Sequence, residues 1–180
     1  KLIEEHFKLY NQMIFLVGPR QVGKTTISKN CAKLTDQYVY LNWDFEDDQM
    51  LLLDGPSKVI DKYSLNKASP IKKILALDEI HKYTNWRNYL KGLYDKYNDT
   101  INFIVTGSAK LDVFRTTGDS LMGRYLPYHI HPLSVRELLD STLPEKEIRL
   151  PIRIDPKLFQ DLIRYGGFPN PLLKQDSRFY

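Results

Sequence analysis

Residues 18–25 form the clearest chemical pattern in the sequence, Gly-Pro-Arg-Gln-Val-Gly-Lys-Thr. The glycines of a Gly-x-x-x-x-Gly-Lys-Thr pattern let the backbone curl, so that successive N–H groups point at phosphate oxygens. The Lys24 ammonium is then expected to reach the β- and γ-phosphates, and the Thr25 hydroxyl to ligate Mg²⁺. We therefore predict a nucleotide phosphate site with the following binding residues: Gly18, Pro19, Arg20, Gln21, Val22, Gly23, Lys24, Thr25 and Thr26.

The residues on either side of this loop support the prediction. Met13–Val17 is a continuous apolar run, which is typical of a strand buried on both faces. Residues 24–34 favour a helix, with Ile27, Cys31 and Leu34 at spacings of four and three. The first turn of that helix adds N–H donors and the positive end of its dipole. A glycine-rich turn without a ligand is the alternative, and this context disfavours it.

Two adjacent carboxylates, Asp78 and Glu79, follow the apolar residues 74–77. Because ligands of open α/β sheets bind beyond the carboxyl ends of the strands, both are expected near the phosphate loop. Asp78 is the predicted Mg²⁺ ligand, and Glu79 the predicted catalytic base that polarises the attacking water. The alternative is an exposed acidic pair that only ends a strand. Residues 78–81 also spell the DExH pattern of nucleic-acid helicases, although we favour a surface position for His81.

Two further segments carry weaker signals. Thr106-Gly107-Ser108 ends the predicted strand 101–105, where Ser108, or failing that Thr106, can hydrogen-bond the attacking water or a phosphate oxygen. An ordinary strand-ending turn is the alternative. Residues 118–124 end in Arg124, a candidate for neutralising transition-state charge in its own site or in a neighbour's. A pairing of Arg124 with local carboxylates is the commoner situation, and Arg115 is a weaker candidate for the same role.

Strand and helix patterns alternate along the chain. Strands are predicted at 13–17, 38–42, 74–77, 101–105 and within 125–131, and helices at 4–12, 24–34, 86–97 with Thr84 as N-cap, and from Asp155-Pro156 to Gly166. This alternation predicts an α/β fold with a mostly parallel sheet of about five strands and helices on both faces. We divide the chain into a core at 1–150 and the start of a small helical subdomain at 151–180.

The overall composition narrows the class of protein. Of the 180 residues, 42% are hydrophobic and 27% charged, as in ordinary soluble globular proteins. No apolar run approaches the roughly 20 residues that cross a bilayer, and no signal pattern precedes the core. The only cysteine, Cys31, is expected in the core, and a cytoplasmic location is the default. The acidic run 44–48 is interpreted as a solvated loop in which Asp44 can contact the site through water.

Six short segments resemble a known family when taken together and in order. They are GPRQVGKTT (18–26), LDEIH (77–81), TGS (106–108), GR (123–124), PLSVRE (132–137) and GGFP (166–169). They look like the prokaryotic AAA-type P-loop ATPases whose phosphate-loop domain precedes a carboxyl-terminal domain of unknown function. The resemblance covers about residues 1–175. It implies a sheet of the ASCE type, with an extra strand between the phosphate-loop strand and the strand that ends in the carboxylates.

The resemblance also implies roles for single residues. Lys24 and Thr25 would bind phosphate and Mg²⁺, and Asp78 would bind Mg²⁺. Glu79 would be the catalytic base, and Ser108 would be the sensor. The partner domain would lie outside this chain, which begins at Lys1 and which we interpret as one domain of a longer gene product. A typical AAA protein has a second sensor arginine, and the sequence offers only Arg164 as a possible lid residue.

The leading hypothesis is an ATP hydrolase that uses Mg²⁺ and couples the nucleotide state to movement of an attached domain. A nucleotide-dependent switch with little turnover is the second hypothesis. A domain whose arginine must be supplied in trans, within a homo-oligomer, can be slow by itself. A small-molecule kinase is disfavoured because the sequence has no obvious arginine-rich lid. A GTPase is disfavoured because no Asn-Lys-x-Asp motif follows the fourth predicted strand. The DExH spelling and the net charge of +4 leave a nucleic-acid-stimulated ATPase open. No membrane partner is expected.

Overall fold

Five strands form a sheet in the computed structural model, which describes residues 1–107, 120–140, 142 and 153–175. The strands are β1 (Met13–Val17), β2 (Tyr38–Asn42), β3 (Lys73–Asp78), β4 (Ile101–Gly107) and β5 (Tyr125–His129). Their order across the sheet is β2-β3-β4-β1-β5, and neighbouring strands are parallel. The predicted α/β fold with a parallel sheet of about five strands is therefore confirmed.

Strand β4 lies between β1 and β3, in the position of the extra strand that the family resemblance implies. It runs two residues beyond its predicted end, because Thr106 and Gly107 still pair with neighbouring strands. In the register, Asp78 lies opposite Thr106, and Val17 lies opposite Gly107. The carboxyl ends of these three central strands therefore meet at one edge of the sheet.

Helices and short turns connect the strands. The helices are α1 (Leu2–Leu9), α2 (Lys24–Asn30), α3 (Glu46–Leu53), α4 (Pro56–Lys62), α5 (Trp86–Tyr97), α6 (Val135–Leu139), α7 (Pro156–Tyr165) and α8 (Pro169–Lys174). A 3₁₀ turn at Cys31–Leu34 follows α2. A second 3₁₀ turn at Ile80–Lys82 follows Glu79, which comes directly after β3. Over the described ranges, no helix combines the length and the apolar character that crossing a membrane requires.

Apolar side chains cover both faces of the sheet. On one face, Phe15 and Leu75 pack in a cluster with Leu90 of α5. On the other face, Ile14 packs in a second cluster with Cys31, which is 4% exposed and is the core residue that the sequence predicts. Successive strand residues point to opposite faces, so a run such as Met13–Val17 must be apolar throughout.

Four local predictions are wrong. The helix predicted at 4–12 lies at Leu2–Leu9. Residues 46–48 of the acidic run form the first turn of α3 instead of a loop, because carboxylates stabilise the positive end of a helix dipole. Asn85, and not Thr84, precedes α5, and it makes no side-chain capping hydrogen bond. The helix that follows the phosphate loop ends its α-helical part at Asn30 and continues only as a 3₁₀ turn.

The carboxyl-terminal segments contain two capped helix starts. Ser134 and Glu137 of the PLSVRE segment form a capping box: Glu137 N donates to Ser134 Oγ at 3.3 Å, and Ser134 N donates to Glu137 Oε2 at 2.8 Å. Asp155 caps α7, as predicted. Between α7 and α8, the carbonyl oxygen of Gly167 accepts a 2.7 Å hydrogen bond from Leu133 N, so this turn is tied to the segment that follows β5.

Candidate nucleotide site

The phosphate loop joins the end of β1 to the start of α2. Gln21 and Gly23 have φ angles of 62° and 100°, left-handed conformations that let the chain curl within a few residues. Gly18 lies against the carbonyl oxygen of Ile130, and a Cβ at residue 18 would overlap that oxygen. Close packing therefore requires the first glycine of the motif, and backbone conformation favours the second.

Lys24 lies in the first turn of α2, and its side chain folds back over the loop. Its Nζ donates to the carbonyl oxygens of Gly18 at 3.0 Å and of Pro19 at 2.6 Å. The residue is buried, and burial lowers the pKa of its ammonium, while Glu79 and Asp78 act in the opposite direction. Phosphate oxygens are charged acceptors and would replace the two neutral carbonyls with stronger hydrogen bonds.

Three hydroxyl groups converge on the Asp78 carboxylate. Its Oδ2 accepts hydrogen bonds from Thr25 at 2.8 Å and from Tyr40 at 2.6 Å, and its Oδ1 accepts one from Thr106. Asp78 is 5% exposed, so these donors take the place of the water molecules that burial removes from its carboxylate. Because the donors come from α2, β2 and β4, three separate elements fix the carboxylate.

Thr25 and Asp78 together fit a Mg²⁺ ion. Mg²⁺ takes oxygen ligands and usually combines one or two carboxylates with waters and substrate phosphates. The Thr25 hydroxyl and the Asp78 carboxylate are oxygens of this kind, and both residues line the same cavity. Within the described part of the chain, no group of three or more His, Cys, Asp or Glu side chains could hold a metal by itself. The pair therefore suits a cation that is shared with a polyphosphate.

Glu79 leaves β3 in a left-handed backbone conformation, with φ of 57°. Its Oε2 lies 3.2 Å from Lys82 Nζ and 3.8 Å from His81 Nε2. Lys82 Nζ also donates to both carboxylate oxygens of Asp44, at 2.6 Å each. These hydrogen bonds, first of all the one to Asp44, raise the pKa of Lys82, so its ammonium stays charged. Asp44, Lys82 and Glu79 therefore form an ionic network.

One cavity of about 480 Å³ brings most of the predicted site residues together. Its volume is in the range of small-molecule sites. The predicted residues in its wall are Arg20, Gln21, Gly23, Lys24, Thr25, Thr26, Asp78 and Glu79. The cavity is also lined by Pro169, the last residue of the GGFP segment, and by three residues without a motif role in the sequence: Asn42, Lys82 and Asn170. Asp44 lines it as well, and the sequence predicts this residue only as a neighbour that acts through water.

A sequence signal exists for some of the residues that were not predicted. Asn42 is the last residue of β2 and Asp44 follows it. The carboxyl end of β2 lies beside that of β3, and polar residues at such an end are candidates for any α/β site. Tyr40 carries no such signal, because it lies inside a strand. His81 is also placed differently from our expectation: its side chain is only 9% exposed, so it is not a surface residue.

Of the two candidates for the sensor at the end of β4, the structure describes only Thr106. Ser108 and Arg115 lie outside the described residues. Thr106, the second candidate for the sensor, is 1% exposed, and its hydroxyl donates to Asp78. Its observed contact therefore orients the predicted metal ligand.

The structure does not bring Arg124 to the site. Arg124 precedes β5, and its carbonyl oxygen accepts from the N–H of Met13 at the amino end of β1, at 2.8 Å. The phosphate loop follows the other end of β1, a distance of roughly 16 Å at about 3.3 Å per residue. The guanidinium instead binds Asp95 through two hydrogen bonds of 2.6 and 3.1 Å. In this structure Arg124 therefore lies away from the site of its own chain.

Two solved structures share this fold. The Walker-type ATPase of Pyrococcus abyssi superposes with a TM-score of 0.55 over 95% of this chain and 63% of its own, at 14% identity. The Orc1 protein of Aeropyrum pernix, solved in complex with DNA, has a TM-score of 0.50 over 72% of this chain and 43% of its own, at 13% identity. At these identities the likeness concerns the fold alone.

Curated relatives are longer proteins. An uncharacterized protein of Methanocaldococcus jannaschii is 28% identical over 93% of this chain and 38% of its own length. An uncharacterized protein of Haemophilus influenzae is 29% identical over 61% of this chain and 26% of its own length. A third, from Mycobacterium tuberculosis, is 28% identical over 72% of this chain and 27% of its own length. The chain thus spans well under half the length of each of these relatives.

A family model described as an AAA domain matches residues 10–139. This range takes in all five strands of the sheet, the phosphate loop and both carboxylates, and it ends in α6. AAA domains bind nucleotides, usually with Mg²⁺, and the cavity beside the phosphate loop has the donors and oxygen ligands for both. With well over half of its length matched, the chain belongs to the AAA domain family.

Proposed function

We propose that this P-loop ATPase domain hydrolyses ATP with Mg²⁺ and that hydrolysis drives the movement of an attached domain. The observation that carries the proposal is the position of the two adjacent carboxylates at the phosphate loop. Asp78 accepts a 2.8 Å hydrogen bond from Thr25, and Glu79 lines the same cavity as Lys24. Metal binding needs only the first carboxylate, whereas a second one at the cavity suits general-base chemistry.

In the proposed complex, the backbone N–H groups of residues 18–26 and the Lys24 ammonium bind the phosphates. Thr25 and Asp78 would hold a Mg²⁺ ion, which would offset the negative charge of the phosphates. Tyr40 and Thr106 already fix Asp78 before the nucleotide arrives. Such prior ordering lowers the reorganisation that the reaction requires.

In the proposed reaction, a water oxygen forms a bond to the γ-phosphorus while the bond between that phosphorus and the β–γ bridging oxygen breaks. Glu79 accepts a proton from the water, and ADP leaves with the bridging oxygen and its electron pair. Inorganic phosphate carries the oxygen of the former water. Release of the proton from Glu79 to solvent restores the base.

The carboxyl-terminal helices support coupling to an attached domain. Pro169 and Asn170 of α8 line the cavity, so a nucleotide there would contact α8 or change its surroundings. We propose that residues 1–150 are the ATPase core and that residues 151–180 begin a lid or linker. A carboxyl-terminal domain of the same gene product would then be the part that moves. The greater length of the Methanocaldococcus jannaschii relative supports this view.

The Glu79→Gln variant tests the proposal, because glutamine keeps the shape of the side chain but is not a base. We expect Mg²⁺-dependent ATP turnover to fall by roughly 100-fold or more. Binding of a fluorescent ATP analogue should change by less than about threefold, since uniform binding does not involve the base. Glu46→Gln in the first turn of α3 is the matched control, and it should leave both quantities unchanged.

Two results would contradict the proposal. Unchanged turnover in Glu79→Gln would remove Glu79 from the base role. Absence of hydrolysis by the unmodified protein, even with enzyme in excess over ATP, would remove the hydrolase assignment itself.

A nucleotide-dependent switch with little turnover is the second candidate. The observation that favours it is the engagement of Arg124 by Asp95, at the edge of the sheet away from the phosphate loop. If the arginine that stabilises the transition state comes from a neighbouring molecule, turnover in its absence would be slow. Turnover that stays near zero at every protein concentration, with retained ATP binding, would favour the switch.

A further inference from the structure

We propose that Lys82 is a positioning residue for the Glu79 carboxylate and that Asp44 holds Lys82 in place. This inference rests on the proposed function, because Glu79 is the residue that we assign as the base. Lys82 has no part in the motifs that predict the site, yet it lines the cavity together with Asp44. Its ammonium connects the two carboxylates, at 2.6 Å from each oxygen of Asp44 and 3.2 Å from Oε2 of Glu79.

Local backbone geometry brings Lys82 next to Glu79. The N–H of Lys82 donates to the carbonyl oxygen of Glu79 at 3.0 Å, which closes a 3₁₀ turn. Side chains three residues apart lie above one another in such a turn. Ile80 is fully buried and anchors the turn to the core. The contact between residues 79 and 82 therefore follows from the backbone and does not depend on the ion pair.

Tertiary contacts bring Asp44 to the same point. The rings of Trp43 and Tyr83 stack with centroids 4.8 Å apart and an interplanar angle of 16°. Trp43 precedes Asp44, and Tyr83 follows Lys82, so this stack holds the two segments side by side. The N–H of Trp43 also donates to the carbonyl oxygen of Asp78 at 3.0 Å. The network is thus built into the fold from both segments.

The arrangement restrains one oxygen of Glu79 and leaves the other for a water. Oε2 faces the Lys82 ammonium at 3.2 Å, and Oε1 is the oxygen that we assign to the attacking water. A glutamate without a partner samples several rotamers, whereas a restrained one presents its free oxygen in a single direction, which favours reaction. The cation also offsets charge where Asp44, Asp78 and Glu79 would otherwise repel a triphosphate.

Steady-state ATP turnover of the full chain and three variants tests the inference. Lys82→Met removes the charge and keeps the chain length, Lys82→Arg keeps the charge, and Asp44→Asn weakens the anchor. Lys8→Met is the matched control, because Lys8 forms a 2.7 Å ion pair with Glu4 on α1, outside the cavity. Thermal unfolding of every variant checks that the fold is retained.

We expect Lys82→Met to lower kcat by about tenfold or more while KM changes by less than about twofold, which is the pattern of lost positioning in the transition state. Lys82→Arg should retain most of kcat, and Asp44→Asn should fall between them. In the Glu79→Gln background, Lys82→Met should cause no further loss, because both changes act through one carboxylate. If Lys82→Met fails to fold, Asp44→Asn and Lys82→Arg carry the same comparison.

Three outcomes overturn the inference. An unchanged kcat would mean that Glu79 needs no partner, and a raised kcat would mean that Lys82 restrains the base instead of aiming it. A raised KM at constant kcat would make Lys82 a phosphate-binding group. In each of these cases the unmodified protein still hydrolyses ATP, so the proposed function stands. If the unmodified protein binds ATP without hydrolysing it, the proposed function fails, and this inference fails with it.

Discussion

The hydroxyl of Tyr40 donates a 2.6 Å hydrogen bond to Asp78 Oδ2, the oxygen that also accepts the Thr25 hydroxyl. Tyr40 lies on β2, two residues before Asn42, which is opposite Asp78 in the register. Burial raises the pKa of the Tyr40 phenol above its usual range, and Asp78 raises it further, so the phenol remains a donor. A strand outside every motif thus fixes the orientation of the predicted metal ligand.

Tyr40→Phe should weaken Mg²⁺ binding in the presence of ATP. The change removes one of the donors that hold the Asp78 carboxylate, and loss of such a supporting contact typically costs about 10-fold or more in metal affinity. A Mg²⁺ titration of ATP turnover measures the half-saturating concentration. Tyr38→Phe on the same strand is the control, since that hydroxyl contacts Ser28 at 3.1 Å and not Asp78. Equal shifts in both variants would contradict the assignment.

Gly18→Ala should destabilise the protein and abolish tight ATP binding. The added methyl group overlaps the carbonyl oxygen of Ile130, so either the phosphate loop or the end of β5 has to move. We expect a loss on the order of 2–3 kcal/mol in the free energy of unfolding, as for overpacking of a core. Urea denaturation measures the loss.

Gly92→Ala is the opposite control for that substitution. Gly92 lies within α5, and a Cβ there meets no atom within 4 Å. Alanine in a helix should raise the free energy of unfolding by about 0.5–1 kcal/mol. A stabilising Gly18→Ala variant would show that the contact with Ile130 is not restrictive.

Stability should fall at mildly acidic pH because of His6. The ring is 1% exposed, Nε2 donates to the Gln12 carbonyl at 2.7 Å, and Nδ1 accepts from the Tyr128 hydroxyl at 2.9 Å. Burial lowers the pKa of His6 below the value of 6.5. The unfolded chain therefore binds the proton first, so the stabilisation is complete above pH 6.5 and is lost as pH falls toward the folded-state pKa.

Comparison with His6→Gln isolates this effect from other titrating groups. The free energy of unfolding is measured by urea denaturation between about pH 8 and about pH 5. The advantage of the unmodified protein over His6→Gln should shrink as the pH falls. An advantage that is constant or grows would contradict a neutral His6 in the folded protein.

Arg124→Ala should leave turnover per molecule unchanged at low protein concentration. The guanidinium is engaged by Asp95 at the amino edge of the sheet and does not reach the cavity of its own chain. If Arg124 instead serves a neighbouring molecule, turnover per molecule of the unmodified protein rises with concentration, and Arg124→Ala removes that rise. Activity measured over a wide concentration range distinguishes the two cases. A loss at low concentration would contradict the placement of Arg124.

Several elements of the site follow directly from the order of residues. The phosphate loop was predictable because its glycines, Lys24 and Thr25 act within one turn of the chain. The carboxylates Asp78 and Glu79 were predictable because they end a continuous apolar run, and parallel strands bring such ends to one edge. The helix start at Asp155 was equally local. The start of α5 was not predictable in this way. Asn85, and not Thr84, precedes the helix, and no side-chain capping hydrogen bond marks this position.

Contacts between distant segments decided the rest. Tyr40 meets Asp78, Asp44 meets Lys82, and Arg124 turns away to Asp95, and each of these pairs joins residues at least 29 positions apart. Spacing along the chain carries no information about such pairs, since strand order and register set which side chains meet. The sequence by itself determined the class of ligand and the parallel α/β fold. Only the tertiary structure decided which groups surround the predicted metal ligand and base, because packing of β2 and β4 against β3 brings those groups together.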